Sequence, residues 1–224
     1  MQILFVSATP FEIAPLRAYL EANFERLADF HFKKNGLEVK LLITGVGMPY
    51  TAFAMGTVLA TQKVDLAVNA GVAGAFYRNL QIGEVVNVVS EQFGDLGVEE
   101  ADGRFTDAAE LGLIDAHQPP FINGKLYNPA ASEFGFLPQK KGLTVNKVHG
   151  TKDSIAAVLE KYQADVESME GAAFFLACLL SNVNFLEIRA ISNYVEPRNR
   201  EAWDIPLAIK NLNGVLVELV KTFQ

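Results

Sequence analysis

Cysteine is almost absent: Cys178 is the only one in 224 residues. A lone thiol cannot form an intrachain disulfide, and within the apolar run 174–180 it reads as a small buried hydrophobe. The expected setting is cytoplasmic. Positive charge is also short, with 19 Lys and Arg against 26 Asp and Glu and a net charge of -7. Without a basic stripe to displace condensed counterions, nucleic acid is not an expected partner. Long hydrophobic runs are missing too. None approaches the roughly 20 residues that span a bilayer, so no membrane partner is expected, and Met1–Val6 reads as a first strand rather than a leader. Repeats, low-complexity tracts and linker-like stretches do not occur, and the length suits one domain covering 1–224.

What is abundant is apolar surface. Half of the residues are hydrophobic and 20% are charged, a balance that suits a sheet covered on both faces or an interface between subunits. In chain order, Ile3–Val6 predicts a strand. The spacing Ile13, Leu16, Leu20, Phe24 predicts a helix with Pro10 and Glu12 in its first turn. Asn35-Gly36 between two apolar runs predicts a hairpin. A helix over 49–62 and a strand over 66–69 follow, and glycine loops are expected at Gly45–Gly47 and Gly71–Gly74. Neither loop fits a dinucleotide fingerprint or a P-loop, and no Lys is placed to hold a phosphate.

A further strand is predicted over 84–93, then an irregular stretch over 94–141. Its acidic residues Asp95, Glu99, Glu100, Asp102 and Asp107 lack metal-ligand spacing and read as a solvated face, so no metal is expected. Strand 143–148, helix 154–162, strand 185–192 ending at Asn193, and helix 206–223 complete the pattern. Alternating strands and helices imply an α/β fold, a three-layer α/β/α sandwich around a central mixed twisted sheet.

The segment Val166–Ala173 sets Glu170 directly before an apolar run. A carboxylate pressed against a core is costly unless its oxygens find partners, so Glu170 is expected where a strand gives way to a helix beside a pocket. Strand ends on one rim bring Glu12, Gly45–Gly47, Gly71–Gly74, Glu170 and Asn193 to one crevice. Two carboxylates in a cleft suggest hydrolysis or proton transfer.

The loop 44–47 and the stretches Asn69–Gly74, Ser168-Met169-Glu170 and Arg189–Asn193 resemble, in that order, landmarks of the nucleoside phosphorylase and methylthioadenosine/S-adenosylhomocysteine nucleosidase superfamily. The likeness spans essentially the whole chain. It implies an enzyme that cleaves the N-glycosidic bond of a small purine nucleoside, with no cofactor. By that resemblance Glu12 activates water, Glu170 holds the ribose hydroxyls and Asn193 meets the purine. Val46, Ala73, Gly74, Met169, Ser192, Arg198 and Trp203 are the implied binding residues, with Arg198, Lys147 and His149 as candidate cations at one end of the pocket.

The nucleosidase pattern has Asp, the proton donor to N7 of adenine, where this chain has Asn193. An amide cannot deliver a titrating proton, but it can donate to N7 or O6, which favours a 6-oxopurine such as hypoxanthine. A phosphorylase needs a cation near the first turn, and Ser7–Glu12 offers an acid, so water is the expected nucleophile. An adenine-releasing nucleosidase is the alternative. A binder without turnover is a third reading, disfavoured because it needs neither glutamate. The base-stacking aromatic of related nucleosidases has no counterpart here. Asp95–Val98 resembles the loop by which a second subunit roofs the site, which implies a homodimer.

Overall fold

The computed structural model describes residues 1–131 and 135–224. In chain order, β1 (Gln2–Ser7) leads to α1 (Ala14–Asn23), and β2 (Glu25–Ala28), β3 (His31–Lys34) and β4 (Leu37–Ile43) form a meander. Next come α2 (Met48–Thr61), β5 (Leu66–Ala75), β6 (Val85–Glu91) and three short strands, β7 (Gly97–Glu99), β8 (Phe105–Asp107) and β9 (Leu126–Tyr127). β10 (Gln139–Thr144), α3 (Lys152–Lys161), β11 (Val166–Ser168), α4 (Gly171–Leu180), β12 (Phe185–Tyr194), a single 3-10 turn (Arg200–Ala202) and α5 (Ile205–Thr222) follow.

The main sheet runs β11-β10-β6-β12-β5-β1-β4-β3-β2, and β11 also pairs with β5. One end of the sheet therefore closes into a ring of five strands, β5-β12-β6-β10-β11. β4, β1, β5 and β12 pair in parallel, while β6 runs antiparallel to β12 and β11 antiparallel to β5. This is the mixed sheet of a three-layer α/β/α sandwich.

The alternation along β1 shows why both faces are covered. Ile3 and Phe5 pack into a cluster with Leu16 and Leu20 of α1 and Leu212, Leu216 and Leu219 of α5. Leu4 and Val6 face the other way, toward Met55 of α2 and Phe174, Phe175 and Cys178 of α4, as the two-residue period of a strand requires. Phe185 of β12 meets Phe174 and Phe175 edge to face, with centroids 5.7 and 4.7 Å away. Truncating one such ring to Ala costs about 3–5 kcal/mol. Among the described residues no helix is long and apolar enough to cross a membrane.

Three local expectations change. α1 begins at Ala14 with Pro15 in its first turn, so Pro10 and Glu12 lie in the turn before the helix. Gly71–Gly74 is strand, because β5 runs on to Ala75, and Asn193 lies inside β12 rather than beyond it. The irregular stretch after residue 94 carries β7, β8, β9 and the start of β10. The hairpin at Asn35-Gly36 forms with φ of 49° and 84°, the positive values its tight turn needs.

Candidate functional site

The site begins where β1 runs out of length. β1 pairs with β5 only as far as Val6 with Asn69, while β5 and β12 continue past that point together. β11 reaches β5 only at Gly74 and Ala75. The β5 edge between these partners needs acceptors for its N–H groups. Glu12 supplies one: its Oε1 accepts the Val72 N–H at 3.2 Å.

The turn after β1 holds Glu12 tightly. Oε2 accepts from Ser7 Oγ at 3.1 Å and from Thr9 N and Thr9 Oγ1, both at 2.9 Å. From α5, Asn213 donates to the Glu12 carbonyl at 2.8 Å and accepts the Leu16 N–H at 2.9 Å. A side chain on a distant helix thus caps α1, whose own cap residue Ile13 has no side-chain oxygen. With three donors on Oε2 and one on Oε1, the carboxylate keeps its free lone pair on Oε1.

Glu170 occupies the cap position of α4 but makes no cap hydrogen bond. Its Oε1 instead accepts the Gly47 N–H at 3.0 Å, across from the turn after β4. Gly45 and Gly47 hold φ of 92° and 98° there, a backbone that side chains rarely adopt. Burial pushes the Glu170 carboxyl above its ordinary range, while Arg189 and the Gly47 N–H pull it down.

Arg189 lies between the two glutamates. It is 1% exposed, its Nη1 is 3.6 Å from Glu170 Oε2 and its Nε donates to Glu187 Oε1 at 2.7 Å. Gly71, its partner in β5, has no Cβ to block it: one placed there falls 2.3 Å from Arg189 Nη1 and 2.8 Å from Glu12 Oε1. Behind Arg189, Glu187 and Glu91 are fully buried. Glu91 Oε2 accepts from Thr144 Oγ1 at 2.8 Å, and that oxygen accepts the Ala172 N–H at 2.7 Å near the start of α4. Among the described residues, Glu91 Oε1, Glu187 Oε2 and Arg189 Nη2 have no hydrogen-bond partner. Burial, then the charge of Glu187, pushes the Glu91 carboxyl far above its ordinary value.

Further along β12, a bulge between Ile191 and Asn193 turns Asn193 over Gly74. Asn193 Oδ1 accepts from Ser192 Oγ at 2.8 Å and its Nδ2 donates to the Tyr194 carbonyl at 3.0 Å, leaving one amide N–H free. Ala73 and Ser192 are buried, Met169 is half-buried and Val46 is exposed on the turn between Gly45 and Gly47. Arg198 lies over the Trp203 ring at 5.4 Å, and its N–H donates to the Gly150 carbonyl at 3.1 Å. The Asp204 N–H returns to the Ser192 carbonyl at 2.9 Å, so the loop is tied at both ends. Lys147 is exposed, whereas the ring of His149 abuts Glu167.

The structure therefore brings Glu12, Glu170 and the glycine turn together around Arg189, with Asn193, Gly74 and Ser192 further along β5 and β12. Arg189, Glu187, Glu91 and Asn213 were not singled out from the sequence. The signal for the first two was present, since charges two residues apart in the apolar stretch Phe185–Ile191 share one strand face and must find partners there.

Fold and candidate site together place this chain among α/β enzymes whose site lies at the carboxyl ends of parallel strands, here with two buried glutamates beside one arginine. Within that class the chain belongs to the phosphorylase superfamily, whose family model matches residues 2–221. It is 34% identical over 191 residues to the futalosine hydrolase of Streptomyces coelicolor, covering 82% of this chain and 79% of that one. The futalosine hydrolase of Thermus thermophilus is 32% identical over 211 residues, 89% and 90% of the two chains. Among solved structures, the 5'-methylthioadenosine/S-adenosylhomocysteine nucleosidase of Neisseria meningitidis in complex with methylthio-immucillin-A superposes with a TM-score of 0.78 over 99% of both chains at 19% identity.

Proposed function

We propose that this enzyme hydrolyses the N-glycosidic bond of futalosine to release hypoxanthine and dehypoxanthine futalosine, a step of the alternative menaquinone pathway. It is a nucleosidase, an N-glycosidic hydrolase. The observation that carries the finer reading is an amide, Asn193, held by Ser192 on the same strand as Arg189, which lies beside two buried glutamates. The identity of 34% and 32% to futalosine hydrolases supports it.

The chemistry follows from where charge develops. As C1′–N9 breaks, the sugar becomes positive and the base negative, so groups that meet those charges favour the transition state over the bound nucleoside. Glu170 accepts hydrogen bonds from the ribose hydroxyls, its charge supported by Arg189. Glu12 is the general base: the free lone pair on Oε1 takes a proton from water, which attacks C1′. Asn193 donates its remaining N–H to N7 or O6, and Ser192 keeps the amide in that orientation. Val46, Ala73, Gly74 and Met169 line the cleft. Arg198, stacked on Trp203, takes the carboxylate of the substrate's tail. The enzyme works in the cytoplasm as a homodimer.

The test is to incubate the purified protein with futalosine, inosine and methylthioadenosine in phosphate-free buffer and quantify the released base. Hypoxanthine from futalosine is the expected product. Adenine from methylthioadenosine in place of it moves the enzyme to the adenine-releasing nucleosidases. Release that needs added phosphate removes Glu12 as the base that activates water.

A further inference from the structure

One titratable pair at the base end of the cleft has no part in the roles above. At Gly74, β5 is flanked by Asn193 of β12 on one side and Glu167 of β11 on the other. Register partners project from the same face of a sheet. Gly74 carries no side chain, and the Asn193 amide leans over it: a Cβ on Gly74 falls 3.1 Å from Asn193 Nδ2. Glu167 stands on the far side, two strand spacings or roughly 10 Å from the Asn193 backbone.

Glu167 is 5% exposed, and one residue engages both of its oxygens. Oε1 accepts the His149 N–H at 3.1 Å, and Oε2 abuts His149 Nδ1. The imidazole itself is 16% exposed. With Nδ1 turned to the carboxylate, Nε2 is the nitrogen left free, because the partner of one ring nitrogen sets the role of the other. The segment carrying His149 is fixed on every side. Asp95 accepts the Asn146 and Lys147 N–H groups at 2.6 and 3.3 Å, Asn146 Oδ1 accepts the Met48 N–H at 3.2 Å, and the Gly150 carbonyl accepts the Arg198 N–H at 3.1 Å.

The departing base needs a proton, and Asn193 has none to give. An amide steadies charge on the purine by a hydrogen bond but stays un-ionised. Imidazole is a side chain able to hand over a proton in general acid catalysis, and a partner on one ring nitrogen fixes the orientation of the other.

We propose that His149, oriented by Glu167, is the general acid that protonates the leaving purine. The inference rests on the N-glycosidic cleavage described above. As the C1′–N9 bond breaks, its electron pair passes to the purine and the Nε2 proton of the imidazolium passes to N7. Water bonds to C1′ through oxygen and gives one proton to Glu12. Glu12 then loses that proton, and His149 regains one, through solvent. The balance is one water added across the bond, with hydroxyl on the sugar and hydrogen on the base, and nothing is oxidised or reduced. The charged group against the imidazole is Glu167 on β11; on the neighbouring backbone, the Arg198 N–H holds the Gly150 carbonyl and Asp95 holds the Asn146 and Lys147 N–H groups.

The experiment compares His149→Gln with wild type on the nucleoside the wild type cleaves, futalosine on the reading above, and on the same nucleoside methylated at N7. A methylated base is already cationic and leaves without a proton. His149→Gln is expected to lower kcat on the unmethylated substrate by about 10²–10⁴-fold, the usual range for general acid catalysis, with KM unchanged and only a few-fold loss on the methylated one. Glu167→Gln follows the same pattern to a smaller extent, and it carries the comparison if His149→Gln does not fold. Equal loss on both substrates makes the pair a clamp for its loop and overturns the proposal, as does full activity on both. Wild type that cleaves no nucleoside overturns instead the reading on which the proposal rests.

Discussion

At the scale of single residues, the two carboxylates of the proposed site have different sets of neighbours. Glu12 receives four donors, from Ser7, from the backbone and hydroxyl of Thr9, and from the Val72 N–H. Glu170 receives the Gly47 N–H and lies beside Arg189. A carboxylate so held loses little orientation when water arrives, and it can take a proton without moving. Glu12→Gln keeps the shape and removes the basic oxygen. It is expected to lower kcat about 10²–10⁴-fold with little change in KM, and to lower the thermal midpoint modestly because the new amide NH2 faces the Val72 N–H. Turnover that survives the substitution takes the role of base away from Glu12. Both glutamates were legible as candidates for the site because each follows a strand and precedes a helix. Asn213 was not, since an Asn in the middle of an amphipathic helix shows its partners, Glu12 and Leu16, only after α1 and α5 have packed.

At the scale of elements, unequal strand length makes the site. β5 and β12 run ten residues each, Leu66–Ala75 and Phe185–Tyr194, whereas β1 stops at Ser7. The glycine-rich end of β5 read as a loop because nothing local distinguishes it from one. Its pairing comes from β12 and from three-residue β11, both far away in sequence. Packing then forces acids together. Gly142 of β10 and Gly171 of α4 leave no room for a Cβ, which would fall 2.0 and 2.3 Å from Glu91 Oε1, and the Gly171 position is 2.7 Å from Glu187 Oε1. Arg189 bonds Glu187 and makes no hydrogen bond to Glu91 among the described residues, and a proton on Glu91 gives its unpartnered oxygen a way to bond.

That proton has a measurable consequence. Burial and Glu187 raise the Glu91 carboxyl well above its ordinary 4.5 in the folded chain, so unfolding releases a proton between those two values. The stability Glu91 contributes is complete below its unfolded value and is lost as pH rises through the folded one. Glu187 and Glu170, raised by burial, act in the same direction. Urea unfolding between about pH 5 and pH 9 is therefore expected to show wild type losing stability as pH rises. Glu91→Gln is expected to have a shallower decline, the two curves separating by up to about 1.4 kcal/mol per pH unit within the window. Parallel curves mean that Glu91 is ionised in the folded protein.

At the scale of the whole molecule, the apolar excess is not used up inside. Phe11 and Phe53 are each 77% exposed and Tyr50 is 64% exposed, and Val46, Leu96 and Val98 are also exposed. α2 buries Met48, Thr51 and Met55 while presenting Tyr50 and Phe53 outward, and a helix apolar on both sides belongs in an interior. In the homodimer we propose, a second copy of the chain supplies that interior and sets the segment from Asp95 to Val98 over the neighbouring site. A stable interface of this kind buries on the order of 1,200–2,000 Å², which aromatic anchors such as Phe53 make energetically effective. Phe53→Glu places a charge at that contact and leaves the core untouched. In sedimentation, wild type is expected to run as a dimer and Phe53→Glu as a monomer. The substitution is also expected to lower kcat/KM, and raising the protein concentration to restore it as dimers re-form. Wild type that sediments as a monomer while turning over at its full rate leaves each cleft complete on its own, and the exposed rings of α2 then have no role in catalysis.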